Sequence, residues 1–229
     1  MGYKLARLFI HLLFRLIARV RLEGLENLPA HGPYIAAANH IGRLDAALVF
    51  YILDRRDILM LIAEKYRKNA LFRWLAKQFD AVFIDRYNAD LVATRTALKR
   101  LKEGWALVIA PEGTRSETGA LQPGWAGASY LAAKSGVPIV PVGVTGSDDA
   151  QVIHNLKHFR RTQILARAGQ PFHLPPLTGG DRAAQLQAST DEIMLHIAAL
   201  LPESRRGVYK DHPRLPQLLE QGSSQTSAH

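Results

Sequence analysis

The most restrictive feature of this chain is a set of short apolar runs too continuous to line a sheet that meets water on one side. They fall at 34–38, 59–63, 81–84, 105–109, 138–144 and 163–168. A half-exposed strand alternates apolar and polar residues, whereas unbroken runs of this length indicate strands covered on both faces. Between them lie longer segments of helical period, at 44–53, 70–78, 89–101 and 127–135, the last stopped by Gly136 and Pro138. Alternation of this kind predicts an α/β fold: one layered domain with a largely buried mixed sheet flanked by helices. A further helix is expected over 183–201, ended by Pro202. The final SSQTSAH has no apolar periodicity and is expected to be disordered. With 229 residues and no Gly-, Ser- or Pro-rich linker, the expected division is a helix at 1–20, one domain at 21–210 and a tail at 211–229.

The first twenty residues differ from the rest. GYKLARLFIHLLFRLIARV is apolar except at Lys4, Arg7, His11, Arg15 and Arg19. From Arg7 these breaks fall four apart, so a helix carries a narrow basic stripe beside a broad face of Leu5, Leu8, Phe9, Leu12, Leu13, Leu16 and Ile17. The uncharged runs are far shorter than the roughly 20 residues a bilayer span needs. Basic residues within the apolar stretch, with no small-residue cleavage site after it, argue against a signal peptide. The pattern predicts an amphipathic helix lying on a membrane surface, its cations meeting anionic lipid.

A net charge of +9 and a pI near 10 favour polyanionic partners in general. Nucleic acid is disfavoured, because no helix-turn-helix, zinc-finger or aromatic RNA-binding motif is present. Absence of Cys removes disulfides, thiolate ligands and a thiol nucleophile, and the nine His are scattered with no HExxH motif, so neither a metal nor a cofactor is expected. GxSxG is absent too, which excludes a serine hydrolase of that type. GVTGSDD (143–149) lacks the spacing of a phosphate-binding loop and reads as a turn.

Three segments at strand exits carry candidate chemistry. In NHIGRLD (39–45), Asp45 in the first turn of a helix can reach back to one ring nitrogen of His40, leaving the other to take a proton from a substrate hydroxyl. In a chain of this composition such a pair arises by chance about 0.4 times, so alone it is a weak signal. FIDR (83–86) delivers Arg86, and APEGTRS (110–116) delivers Glu112, Gly113 and Arg115. Ligands of open α/β sheets bind beyond the carboxyl ends of strands, and two guanidinium groups there suit a phosphate monoester. As an anion, Glu112 is expected to hold an Arg or accept a hydroxyl.

Taken in order, NHIGRLD, FIDR, PEGTRS and VPIVPVGV (137–144) resemble the four sequence blocks of the glycerolipid acyltransferase family, which includes the bacterial 1-acylglycerol-3-phosphate acyltransferases. The resemblance covers about 22–144, and LPESRRGVY (201–209) is similar to the C-terminal end of bacterial members. It implies His40 as general base and Asp45 as its charge partner. It implies Arg86, Glu112, Gly113, Thr114 and Arg115 as the acceptor-phosphate site, a looser match at Lys65, and Pro141 near the acyl donor. Ala81 departs from the Gly that many members carry there.

The implied reaction moves a fatty acyl group from acyl-CoA or acyl carrier protein, a co-substrate rather than a bound cofactor, to the free hydroxyl of 1-acylglycerol-3-phosphate. The implied location is the cytoplasmic face of the plasma membrane, peripheral or monotopic. Backbone amides near Gly42 or Gly113 are the candidate oxyanion donors. Another lysophospholipid or glycerol-3-phosphate as acceptor stays open, as does a non-catalytic protein that binds anionic membrane.

Overall fold

The computed structural model describes residues 2–85 and 90–226. Its centre is a seven-stranded mixed sheet built from β1 (Ala18–Glu23), β2 (Tyr34–Ala38), β3 (Ile58–Ala63), β4 (Val82–Ile84), β5 (Ala106–Ile109), β6 (Ile139–Thr145) and β7 (Thr162–Ala168), in the order β1-β7-β6-β2-β5-β3-β4. The five strands from β6 to β4 run parallel, while β7 pairs antiparallel with β6 and β1 pairs parallel with β7. One edge therefore gathers the C-terminal ends of five strands and the starts of β1 and β7. Everything singled out in NHIGRLD, APEGTRS and the end of β6 emerges there.

Helices cover both faces, as continuous apolar strands require. Toward one side, Leu59, Leu107 and Ile139 pack with Leu101 of α4 (Leu91–Lys102), Leu131 of α5 (Gly127–Ser135), and Ile193 and Met194 of α7 (Arg182–Ala199). On the opposite side, Ile58, Val144 and Ile164 pack with α1 (Gly2–Ile17) and α2 (Asp45–Ile52), joined by Phe79 just beyond α3 (Ala70–Gln78). A single buried stripe on α1, formed by Ala6, Ile10 and Phe14, fixes that helix to the domain. Burying a side chain such as Phe14 contributes about 1.5–3 kcal/mol.

Three expectations are corrected. The N-terminal helix stops at Ile17, because Arg19, Val20, Arg21 and Leu22 begin the two-residue alternation of the edge strand β1. Asp149, read as the end of a turn, instead opens a helix, α6 (Asp149–Lys157), which the sequence reading did not contain. The terminal segment expected to be disordered is helical as far as Thr226 in α8 (Leu215–Thr226), because Leu215, Leu218 and Leu219 pack at helical spacing against the core beside α7. Residues 227–229 lie outside the described residues, as do Arg86 and the first residue expected for α4.

Helix α1 also divides differently from the simple two-faced reading. Arg7 pairs with Asp54, the Tyr3 hydroxyl donates to the Arg55 carbonyl at 3.1 Å, and the His11 ring lies on that of Tyr51, so the basic stripe partly faces the end of α2. Leu5, Leu8, Phe9, Leu12 and Leu16 are left uncovered on the far side, each more than half exposed. Among the described residues no helix is long and apolar enough to cross a membrane.

Candidate active site

His40 leaves β2 under restraint from every direction. One residue before it, buried Asn39 donates to the Val144 carbonyl at 2.9 Å and accepts from the Val144 amide at 2.7 Å, pinning the exit of β2 to β6. The His40 amide donates to Glu112 Oε1 at 2.9 Å, and its carbonyl accepts from the Ser116 amide at 2.8 Å. Both sides of the residue are thus fastened to the segment after β5. The imidazole Nδ1 meets Asp45 Oδ2 at 2.9 Å. Among the described residues nothing hydrogen-bonds Nε2, and the side chain is partly open to solvent. The pairing that the spacing suggests is present.

Asp45 is held as firmly as the ring it holds. Its Oδ2 also accepts the amides of Ile41 (2.8 Å) and Gly42 (2.9 Å), while Oδ1 accepts the Ser147 hydroxyl at 2.5 Å. A carboxylate that accepts this many donors is held in one orientation. Ser147 is fully buried. Its carbonyl lies so close to Gly42 that a Cβ there would stand 1.8 Å away, so the turn needs Gly at position 42 for contact with the end of β6. Sequence reading treated GVTGSDD as a turn; in the structure only Gly146, Ser147 and Asp148 form it, between β6 and α6, and the reading missed Ser147.

Glu112 departs from its expected role. It is 2% exposed and binds neither an Arg nor open space. Its two oxygens accept the amides of His40 and, at 3.0 Å, of Gln122. Burial pushes its carboxyl above the ordinary value, against those two amides, which favour the anion. Glu112 therefore ties the APEGTRS segment to the base. The Gln122 stretch is in turn held by the C-terminal part of the chain: Leu121 and Arg205 are joined through their backbones, Gly124 donates to the Tyr209 hydroxyl, and Arg205 grips Asp148 and the Gly119 carbonyl. This explains structurally why LPESRRGVY accompanies the site.

Arg115 reaches the same edge, where it pairs with Asp149 at the start of α6; the Arg43 amide donates to that carboxylate at 2.8 Å and its guanidinium lies 3.5 Å away. Two guanidinium groups thus converge on one anion beside the His40 turn. Arg86 lies outside the described residues. Gly113 has φ +67° in the turn after β5, with the exposed Trp125 ring beside it, and Thr114 is exposed. Lys65 emerges beyond β3 with its ammonium 5.3 Å from the Tyr66 ring centre, and among the described residues it joins none of the site's hydrogen bonds or ion pairs. Pro141 is buried inside β6, away from the strand's exit. Ala81 has no positive φ, so its backbone conformation does not call for Gly.

Two further corrections concern donors and ligands. The Gly42 amide is spent on Asp45 and the Gly113 amide on the Ala110 carbonyl at 3.0 Å, so neither is placed to serve as an oxyanion donor. His154 on α6 and His158 just after it stand four apart with their ring centres 4.4 Å from each other, a spacing overlooked among the scattered histidines. Among the described residues no group of three or more candidate ligands surrounds a metal position.

A layered α/β domain presents an oriented imidazole–carboxylate pair beside two arginines at the C-terminal edge of its sheet, the side-chain types that general-base chemistry uses. The sequence profile described as Acyltransferase matches residues 19–145, from the start of β1 to the end of β6. The chain belongs to this acyltransferase family. It is similar to the human protein named 1-acyl-sn-glycerol-3-phosphate acyltransferase alpha, with 30% identity over 184 residues, 78% of this chain and 64% of that one. The Bacillus subtilis 1-acyl-sn-glycerol-3-phosphate acyltransferase is 24% identical over 86% of this chain and 96% of its own. A crystal structure of the 1-acyl-sn-glycerophosphate acyltransferase PlsC from Thermotoga maritima superposes with a TM-score of 0.63 at 26% identity, covering 83% of this chain and 76% of that one. The chain spans between half and two thirds of the length of the mammalian relatives.

Proposed function

We propose that the protein transfers a fatty acyl group from an acyl thioester to the free hydroxyl of 1-acylglycerol-3-phosphate, forming phosphatidate at a membrane surface. The observation that carries this reading is the contact of His40 Nδ1 with Asp45 Oδ2, with Nε2 left unbonded among the described residues. His40 Nε2 takes the hydroxyl proton as that oxygen attacks the thioester carbonyl. The carbon–sulfur bond then breaks, and the proton passes from the imidazolium to the departing sulfur. Asp45 stabilises the imidazolium between those steps. No protein nucleophile is involved.

Arg115, with Arg86, is assigned to the acceptor's phosphate, which must compete with Asp149 for the Arg115 guanidinium. The names of the relatives support the acceptor assignment. Acyl-CoA and acyl carrier protein are the two donor classes proposed, and the excess of basic residues suits either anionic carrier. The uncovered apolar face of α1 supports attachment to the bilayer, with that face among the lipid chains and Lys4 and Arg15 near the headgroups.

The test is purified protein incubated with lysophosphatidate, glycerol-3-phosphate or lysophosphatidylcholine and either donor, following thiol release. Turnover that is fastest with lysophosphatidate supports the proposal. Turnover confined to another acceptor reassigns the substrate, and no transfer to any of them removes the activity.

A further inference from the structure

The turn after α6 exposes an aromatic ring for which the domain itself has no use. Phe159 is 100% exposed and has φ +54°, a left-handed conformation that bulky residues seldom adopt. It is not a frayed end. The Phe159 amide donates to the Leu156 carbonyl at 3.1 Å, and the Arg160 amide to the Asn155 carbonyl at 2.8 Å, so the conformation is locked on both sides. Ile153 and Leu156 continue the ridge at three-residue spacing and are both exposed. Lys157, Arg160 and Arg161 flank it, exposed and without ion pairs among the described residues.

Its location gives the ridge a meaning. Thr162, three residues beyond Phe159, pairs in register with Ala18, the first residue after α1. The turn therefore sits beside the C-terminal end of α1, where Leu12 and Leu16 are uncovered and Arg15 and Arg19 are exposed. At its other end α6 begins with Asp149, which holds the Arg43 amide in the His40–Asp45 turn. Two apolar ridges, each edged by cations, thus flank the same edge of the sheet.

We infer that the α6–β7 turn is a second bilayer contact, in which Phe159 enters the interface of an anionic phospholipid membrane while Lys157, Arg160 and Arg161 lie in its phosphate layer. The inference rests on the proposal that α1 docks to the membrane. A lone interfacial helix leaves the domain free to roll about the helix axis. A second contact beside its end removes that freedom and holds the His40 crevice against the surface from which a lysolipid arrives. A small apolar area flanked by Lys157, Arg160 and Arg161 suits headgroups better than a protein partner, whose interface core is larger and depleted of charge.

Because the chain has no Cys, a single introduced thiol reports its own surroundings. Phe159→Cys, Leu8→Cys and, on α4, Lys99→Cys would each be labelled with an environment-sensitive fluorophore and mixed with phosphatidylcholine vesicles, with and without phosphatidylglycerol. Strong enhancement at 159 and 8 but not at 99, greatest with phosphatidylglycerol, is the expected result. Enhancement at 8 with none at 159 overturns the second contact and leaves docking by α1 intact. No enhancement at either removes the membrane reading itself. Phe159→Ser should raise KM several-fold for acceptor embedded in vesicles while leaving turnover of a short-chain monomeric acceptor unchanged. Equal KM on vesicles contradicts the inference.

Discussion

Ser147 donates its hydroxyl to Asp45 Oδ1 at 2.5 Å across a separation of 102 residues, making the end of β6 a support for the base that emerges from β2. Removing the hydroxyl leaves a mostly buried carboxylate oxygen without that donor, at a cost of about 1–3 kcal/mol. Ser147→Ala should lower both the melting temperature and kcat, the latter by roughly tenfold, while KM for the acceptor stays near wild type. Ser147→Thr should recover part of the rate. Thermal melts and steady-state kinetics check this. Asp45→Asn should fall further, because a neutral amide in contact with the His40 ring cannot stabilise the imidazolium as a carboxylate does.

Glu112 makes the stability of the fold depend on pH in a particular direction. Burial raises its carboxyl above the ordinary value of 4.5, so over the window above that value the folded chain keeps a proton that the unfolded chain has released. Stability from this group is therefore greatest at low pH and declines as pH rises through the window. The melting temperature of the wild type relative to Glu112→Gln should fall as pH is raised from 4.5. Catalytically the variant should be poor, since its amide nitrogen would face one of the two backbone N–H groups now bound. Displacement of His40 by about 1 Å is enough for a 10²-fold loss.

Gly42→Ala tests the closeness of the β6 exit. The added carbon would lie 1.8 Å from the Ser147 carbonyl, a backbone atom held inside the site. The turn must open, so the variant should lose stability by about 1–3 kcal/mol together with most of its activity. Urea unfolding with parallel assays would show it. Gly127→Ala, whose new carbon meets nothing within 4 Å, is the matching control.

Arg115→Ala should act on acceptor binding more than on the chemical step. The guanidinium proposed to hold the acceptor's phosphate would be gone, so KM for lysophosphatidate should rise about tenfold or more with a smaller change in kcat. KM for the thioester should be unaltered. Initial-rate measurements varying each substrate separately distinguish these outcomes.

The layered α/β class, most strand positions and the His40–Asp45 pair were readable because each rests on local spacing or unbroken apolar character. The edge strand β1 was hidden by the helix before it: no Gly or Pro separates Ile17 from Ala18, and the four-residue recurrence of Arg15 and Arg19 continues the helical pattern into the strand. α6 was missed since only Val152 on it is buried, leaving little periodicity to detect, and the bond of Ser147 to Asp45 is a product of topology. Glu112 was misassigned for a similar reason: its acidity is visible in the sequence, but its burial beneath His40 and Gln122 is not.

The measurement closest to the central claim is acyl transfer by His40→Ala, assayed by thiol release with lysophosphatidate and a long-chain acyl thioester. General-base catalysis predicts a loss of at least about 10²-fold, with an unchanged circular dichroism spectrum and melting temperature close to wild type. A folded His40→Ala protein with full activity would contradict the account.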